Sequence, residues 1–345
     1  MQSVGTTLAV GKLQTVRVRP RLVPQCTKYV GLRCPTCFAN LAAMAYHALG
    51  QKHDPLECRN CSAVLSQERG IWLALAKNRL EHFERFMRDY EIVRRAEGRG
   101  SADPAFYLSL PYADRTDKNA WQWSIRARTY NYLQRKILPG IASHLSHPMT
   151  VLDLGSGNGW LSNRLASLGH RPVAVDLQTN TFDGLGAAAH YRHALPMLFP
   201  RFQAEHDRLP FTDRQFDCAI FNASFHYSEN YDRTLSEAIR CLRRGGTIII
   251  ADSPSYSRDK SGQQMLAERR ELFQKRFGFA SDSLASNEYL TKERLLALES
   301  KHHIEWASHE IWYGLRWACR PVVAKLRGRR EPSQFRIYTA QVKTR

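Results

Sequence analysis

The stretch that most constrains this chain is VLDLGSGNGWLSNRLASLGHRPVAVD, residues 151–176. An apolar run ends in an acid and three alternating glycines, a helical pattern follows, and a second apolar run closes on Asp176. Two short apolar runs flanking a helix-period segment read as parallel strands joined by a crossover helix. The glycines mark the strand-to-helix turn, where positive φ is needed and a ligand must approach the backbone closely. The unit therefore predicts an α/β protein that binds a nucleotide-like ligand.

The spacing narrows the ligand. A dinucleotide loop reads G-x-G-x-x-G, whereas here Gly155, Gly157 and Gly159 alternate and Asp153 stands two residues before the first. The pattern [DE]-x-G-x-G-x-G closing a strand resembles motif I of the class I S-adenosylmethionine (SAM)-dependent methyltransferases. That resemblance implies a Rossmann-like seven-stranded fold whose sixth and seventh strands form an antiparallel edge. SAM has no pyrophosphate to seat on a helix N-terminus; it offers an ammonium, which suits Asp153. Asp176 lies 21 residues after Gly155, where a carboxylate accepts ribose hydroxyls. Gly155, Ser156, Gly157, Gly159 and Leu177 complete the contacts expected around them.

Downstream, FQAEHDRLPFTDRQFDCAIFNASFHY is similar to the third and fourth strands of the methyltransferase type 11 group, which includes the ubiquinone and menaquinone biosynthetic methyltransferases. The resemblance implies that Glu205, five residues before Pro210, faces the adenine amino group. It puts the His206 backbone N–H at adenine N1 and Asn222 at the sulfonium side. CLRRGGTIIIADS supplies a fifth strand, and HIEWASHEIWYG and FRIYTAQVK the sixth and seventh. The methyltransferase domain is thus expected over 119–345.

Upstream, Cys34-Pro-Thr-Cys37 and Cys58-Arg-Asn-Cys61 are separated by 20 residues. Two CxxC turns at that distance suit one tetrahedral Zn2+ held by four thiolates, with no open position for catalysis. Redox-sensitive thiols, or a ribbon that has lost its metal, are the alternatives. Cys26 and His53 lie nearby but read as incidental, and Cys218, Cys241 and Cys319 as small core residues. With Leu56, Gly70 and Ile71, this stretch resembles the small zinc-ribbon domain related to a tRNA-methyltransferase activator. The domains expected are a basic N-terminal arm (1–29), the ribbon (30–76), a helical linker (77–118) and the methyltransferase domain. Helical spacing runs from Leu73 to about Ala96, and a second helix, rich in aromatics, is closed by Pro139-Gly140.

Methyl transfer needs mostly alignment; a base is required only when the acceptor must lose a proton. His226, directly after strand four, is the one candidate base, with Tyr227 beside it; the alternative is a loop histidine that packs against cofactor or merely caps the strand. Trp121, Trp123, Arg126 and Tyr130 precede strand one and either shape an acceptor pocket or fill the core. Asn222-Ala-Ser-Phe225 is not the Pro-Pro motif of enzymes that methylate exocyclic base amines.

The net charge is +18, and residues 1–53 hold seven Lys/Arg and no acid, residues 317–345 eight against Glu331 alone. Such ends attract phosphate, RNA or anionic lipid. A small phenolic or lipid-soluble acceptor is favoured. RNA tracked by the ribbon and basic termini is the alternative acceptor, and a non-catalytic SAM-binding scaffold that activates a partner the alternative role. The segment LRWACRPVVAKLRGRR, residues 315–330, suits either an anionic membrane or, preferably, a core-packed helix. No apolar run approaches the roughly 20 residues of a membrane span, and a signal-peptide pattern is absent, so a cytoplasmic location is expected.

Overall fold

The computed structural model describes residues 29–280 and 282–343. The basic arm, apart from Tyr29, and Cys26 lie outside the described residues. Twelve strands are present among the described residues: β1 (Tyr29–Arg33), β2 (Asn40–Ala45), β3 (Leu56–Glu57), β4 (Val64–Glu68), β5 (Ile71–Leu73), β6 (Thr150–Leu154), β7 (Arg171–Asp176), β8 (Arg201–Gln203), β9 (Phe216–Asn222), β10 (Leu242–Ala251), β11 (Ala307–His309) and β12 (Ile337–Gln341). Ten of them form one sheet in the order β11-β12-β10-β9-β6-β7-β8-β5-β4-β3. Strands β6 to β10 run parallel to one another. Strand β12 lies antiparallel to both β10 and β11.

β6 and β9 are buried at every residue, as central strands covered by helices on both faces must be. The chain starts at β6, steps outward to β7 and β8, then returns to the other side of β6 with β9. Where successive strands leave in opposite directions the following loops part, and a crevice opens beyond the strands' carboxyl ends. β6, β7 and β9 all deliver their C-terminal residues to that crevice.

β3–β5 of the cysteine-bearing part join this sheet, while β1 and β2 pair as a separate hairpin. Arg69 and Gly70, both at positive φ, turn β4 tightly into β5. β5 then pairs in parallel with β8, placing Trp72 opposite Phe202. The Trp72 ring stacks on Phe202 at 6.1 Å and its Nε1 donates to the Leu49 carbonyl at 2.9 Å. The β1–β2 hairpin is fixed by Thr212 N–H donating to the Gly31 carbonyl at 2.9 Å and Arg33 N–H to the Pro210 carbonyl at 3.1 Å. Val30, Leu32, Leu65 and Trp72 consequently share one core with Leu152, Val175 and Phe221.

Three local expectations change. The helix read from Leu73 begins at Lys77, because Ile71–Leu73 is spent on pairing with β8. The helix expected to close at Pro139-Gly140 passes through a wider turn at Leu133–Ile137 and continues as Leu138–Ala142, with Pro139 in its first turn, where a missing N–H costs little. The 315–330 segment is no core helix. It forms Leu315–Ala318 and Arg320–Leu326, neither with a buried residue, and Cys319 is exposed. Cations interleaved among its apolar residues leave it no continuous face to bury. Among the described residues no helix is long and apolar enough to cross a membrane.

Candidate functional site

The crevice beyond β6, β7 and β9 is a cleft of about 850 Å³. Its floor is the glycine turn. Gly155 and Ser156 donate backbone N–H groups to the Val175 carbonyl at 2.8 and 3.0 Å, tying the turn after β6 to the end of β7. Gly155 has φ +72° and a Cβ there would meet Ser224 Cβ at 2.2 Å, so only glycine fits. Ser224 is locked in turn by its Oγ donating to the Leu154 carbonyl at 2.5 Å. Gly157, at φ +54°, donates to Asp176 Oδ2 at 2.8 Å, and Gln178 N–H donates to Oδ1 at 2.8 Å.

Two acids face this floor. Asp153 is fully buried and accepts from Ser162 Oγ at 2.7 Å, while its other oxygen has no partner. Burial pushes its carboxyl up to about 7, and burial likewise raises Asp176 to about 6. An acid held this way is poised to ionise when a cation arrives.

Of the residues singled out from the sequence, Asp153, Gly155, Ser156, Gly157, Asp176, Leu177, His206, Asn222 and Tyr227 line the cleft together, as do Trp123 and Arg126. Three do not. Gly159 starts the Trp160–Ser167 helix at φ +75°, and its missing Cβ makes room for the Phe199 ring. Glu205 lies outside the lining, and both its oxygens are held by Arg79: Nε donates to each at 2.9 Å and Nη2 to Oε2 at 2.7 Å. His226 is buried behind the lining, its Nδ1 3.3 Å from Ser253 Oγ. Burial, then the charges of Arg269 and Arg126, push its imidazole down to about 3. So weak a base is unsuited to taking a proton at neutral pH. Trp121 is partly exposed and Tyr130 is core, 5.8 Å from Trp160.

The far wall was not read from the sequence. It is the Lys77–Ala96 helix, whose Phe86, Tyr90 and Arg94 reach the cleft. Tyr90 meets Tyr227 edge-on at 5.9 Å and Phe86 at 5.6 Å, an aromatic wall of the kind that packs against a ligand's ring. Arg94 is ion-paired to Asp183, which pins the helix to the loop after β7. The apolar spacing of Phe86 and Tyr90 was legible as a helix face, but nothing in it says which cavity that face covers. Arg126 rests on the Trp123 ring at 5.1 Å and has no hydrogen bond or ion pair among the described residues, although the Asp252 carboxylate acts on it through charge.

A second cluster lies outside the cleft. The sulfurs of Cys34, Cys37, Cys58 and Cys61 are all within 4.8 Å of one another, against about 3.8 Å between thiolates on a tetrahedral zinc with bonds near 2.3 Å. Phe38 N–H donates to the Cys34 carbonyl and Ser62 N–H to that of Cys58, at 3.0 and 2.8 Å, and Phe38 and Ser62 share positive φ. Two like turns thus present four soft donors to one point, a set that fits a metal ion. His53 is not among them: its Nε2 lies 2.6 Å from the Ala48 carbonyl.

Strand order and cleft together define an α/β fold of the class I methyltransferase kind. Residues 152–250, which carry the glycine turn and β6 through most of β10, match the family model described as a methyltransferase domain. The chain is 30% identical over 152 residues to malonyl-[acyl-carrier protein] O-methyltransferase of Methylococcus capsulatus, covering 41% of this chain and 54% of that protein. It is 27% identical over 106 residues to the protein of the same name from Buchnera aphidicola, covering 30% and 39%. The chain thus spans about half, or less, of the length of these relatives. Among solved structures, a Burkholderia thailandensis 1,6-didemethyltoxoflavin-N1-methyltransferase is similar at TM-score 0.46 and 17% identity, covering 85% of this chain and all of that one (100%).

Proposed function

We propose that the chain is a SAM-dependent methyltransferase acting on a small, lipid-soluble or phenolic acceptor, with a structural zinc ion in its four-cysteine site. The observation that carries the reading is the juxtaposition of Asp153 and Asp176 across the glycine turn. One carboxylate lies buried with a free oxygen, and the other is oriented by two backbone N–H groups. In this reading Asp153 receives the ammonium and Asp176 the ribose hydroxyls. The N–H of Leu177 or His206 meets the adenine ring, and Phe86 and Tyr90 cover it. Glu205 serves instead to anchor Arg79 and the covering helix.

SAM, when bound, supplies a methyl group on a sulfonium, a leaving group that needs no protonation. What the protein contributes is alignment and exclusion of water. Tyr227, Asn222 and Arg126 stand where an acceptor would lie, and Arg126 offers the charge to a carboxylate. Because His226 is buried and weakly basic, the acceptor itself must be readily ionised or nucleophilic.

Calorimetric titration of the zinc-replete protein with SAM, NADH serving as control, tests this. SAM is expected to bind and NADH to stay silent. Asp176→Ala should weaken SAM by on the order of a hundredfold, two hydrogen bonds to a charged group being lost. SAM affinity unchanged by that substitution would refute the assignment.

A further inference from the structure

The segment between β11 and β12 is spent on neither the cleft nor the core. It carries Leu315, Val322 and Leu326 at 74%, 62% and 82% exposure, with Trp312 at 63% just before them. Soluble surfaces seldom gather so many large apolar side chains on one short segment. Between residues 315 and 330 stand six Lys/Arg and no acid. Arg316, Arg320, Lys325, Arg327 and Arg329 form no ion pair among the described residues; only Arg330 does, with Glu268 at 2.7 Å.

These cations are not merely solvated. Arg316, Arg320, Arg327, Arg329 and Arg330 line one groove of about 1460 Å³, in which Glu268 is the sole acid. Arg320 is held in place, stacked on Trp317 and donating to the Ser333 carbonyl at 2.5 Å. Like charges are therefore kept together with their apolar neighbours projecting beside them, an arrangement costly in self-repulsion unless an anion fills it.

We propose that this segment docks the protein on an anionic membrane surface, lipid phosphates entering the arginine groove and Leu315, Val322 and Leu326 entering the acyl boundary. The chemistry matches interfacial segments, where Lys/Arg heads meet headgroups and apolar side chains insert only a few ångströms. An acidic protein would satisfy the arginines but not the projecting leucines, which line no groove that a partner's side chains could fill. The position has a consequence for the cleft. Tyr313, at the root of the segment, bonds Thr129 at 2.9 Å, and Thr129 bonds Asp252 at the end of β10 at 2.6 Å. Arg316 lies over Trp121, on the Ala120–Tyr132 helix that also gives Trp123 and Arg126 to the cleft. The docking surface thus shares the Ala120–Tyr132 helix with the cleft.

The test is co-flotation of the full chain with phosphatidylglycerol vesicles, against phosphatidylcholine vesicles, at low and high salt. Flotation is expected with the anionic vesicles alone. The variant Arg327→Glu/Arg329→Glu should lose at least about tenfold in vesicle partition. Leu315→Ser/Leu326→Ser should lose several-fold, most visibly at high salt, where charge is screened. All four side chains are exposed or lie at the groove, so Tm should hold in both variants. No flotation overturns the proposal. So does flotation that neither variant changes, since it would assign binding to the basic residues 1–28. Capture by an acidic polypeptide such as poly-glutamate, with vesicles ignored, overturns it in favour of a protein partner.

Discussion

Asp153 and Asp176 sit at the ends of adjacent strands, and burial holds both carboxyls near neutrality, about 7 and about 6. A raised acid is the more stable protonated, so the free protein gains stability from Asp153 at low pH and loses it as pH rises through about 7. An ammonium reverses this by preferring the ionised acid. SAM affinity should therefore fall as pH drops below about 7, with proton release on binding, seen as a binding heat that varies with buffer ionisation enthalpy. A pH-independent affinity would remove Asp153 from the ammonium role. His226 gives a complementary prediction. Removal of a general base costs roughly 10²–10⁴ in rate, whereas His226→Gln should leave kcat within about threefold in a methyl-transfer assay once an acceptor is found.

The elements that cover the cleft depend on the cysteine-bearing part. β5 pairs with β8, and the helix that follows it places Phe86, Tyr90 and Arg94 over the glycine turn. If zinc occupies the four thiolates, removing it with a chelator loosens the two CxxC turns and the strands they join, at a cost on the order of several kcal/mol. Tm should drop, SAM should bind more weakly, and metal analysis of the intact protein should give one zinc per chain. Binding left unchanged after metal loss would show that the covering helix is held independently. Arg79 is that helix's anchor. Arg79→Ala leaves Glu205, 5% exposed at its side chain, without its bidentate partner and should cost about 3 kcal/mol, read by urea unfolding.

At the scale of the molecule, β3–β5 and β6–β12 share one ten-stranded sheet, and the separate β1–β2 hairpin packs into the same core. Unfolding should accordingly appear as a single transition by both near- and far-ultraviolet circular dichroism. A fragment beginning at residue 119 would expose the β8 edge and the apolar surface around Phe202, and should aggregate. A soluble, SAM-binding fragment would contradict the shared core.

Much of the cofactor half was legible because its determinants are local. Glycines at alternate positions, an acid before them and an acid closing the next apolar run are fixed by the conformational demands of one turn between two strands. The two CxxC turns were legible for the same reason, each being closed by backbone hydrogen bonds within a few residues. What the residues alone left undecided was contact between parts distant in sequence. The resemblance points Glu205 at the adenine, whereas in the structure its carboxylate is held by Arg79, 126 residues away. The sequence position of His226 suits a base but does not show its burial behind the lining, and the apolar face of Phe86 and Tyr90 does not name the cavity it covers. The segment 315–330 has the composition of either a buried or an exposed helix, and the tertiary structure leaves both of its short helices without a buried residue. Local chain geometry is written in neighbouring residues, whereas burial, ion pairing and the walls of a cleft are set by which remote surfaces meet, and only the tertiary structure decides that.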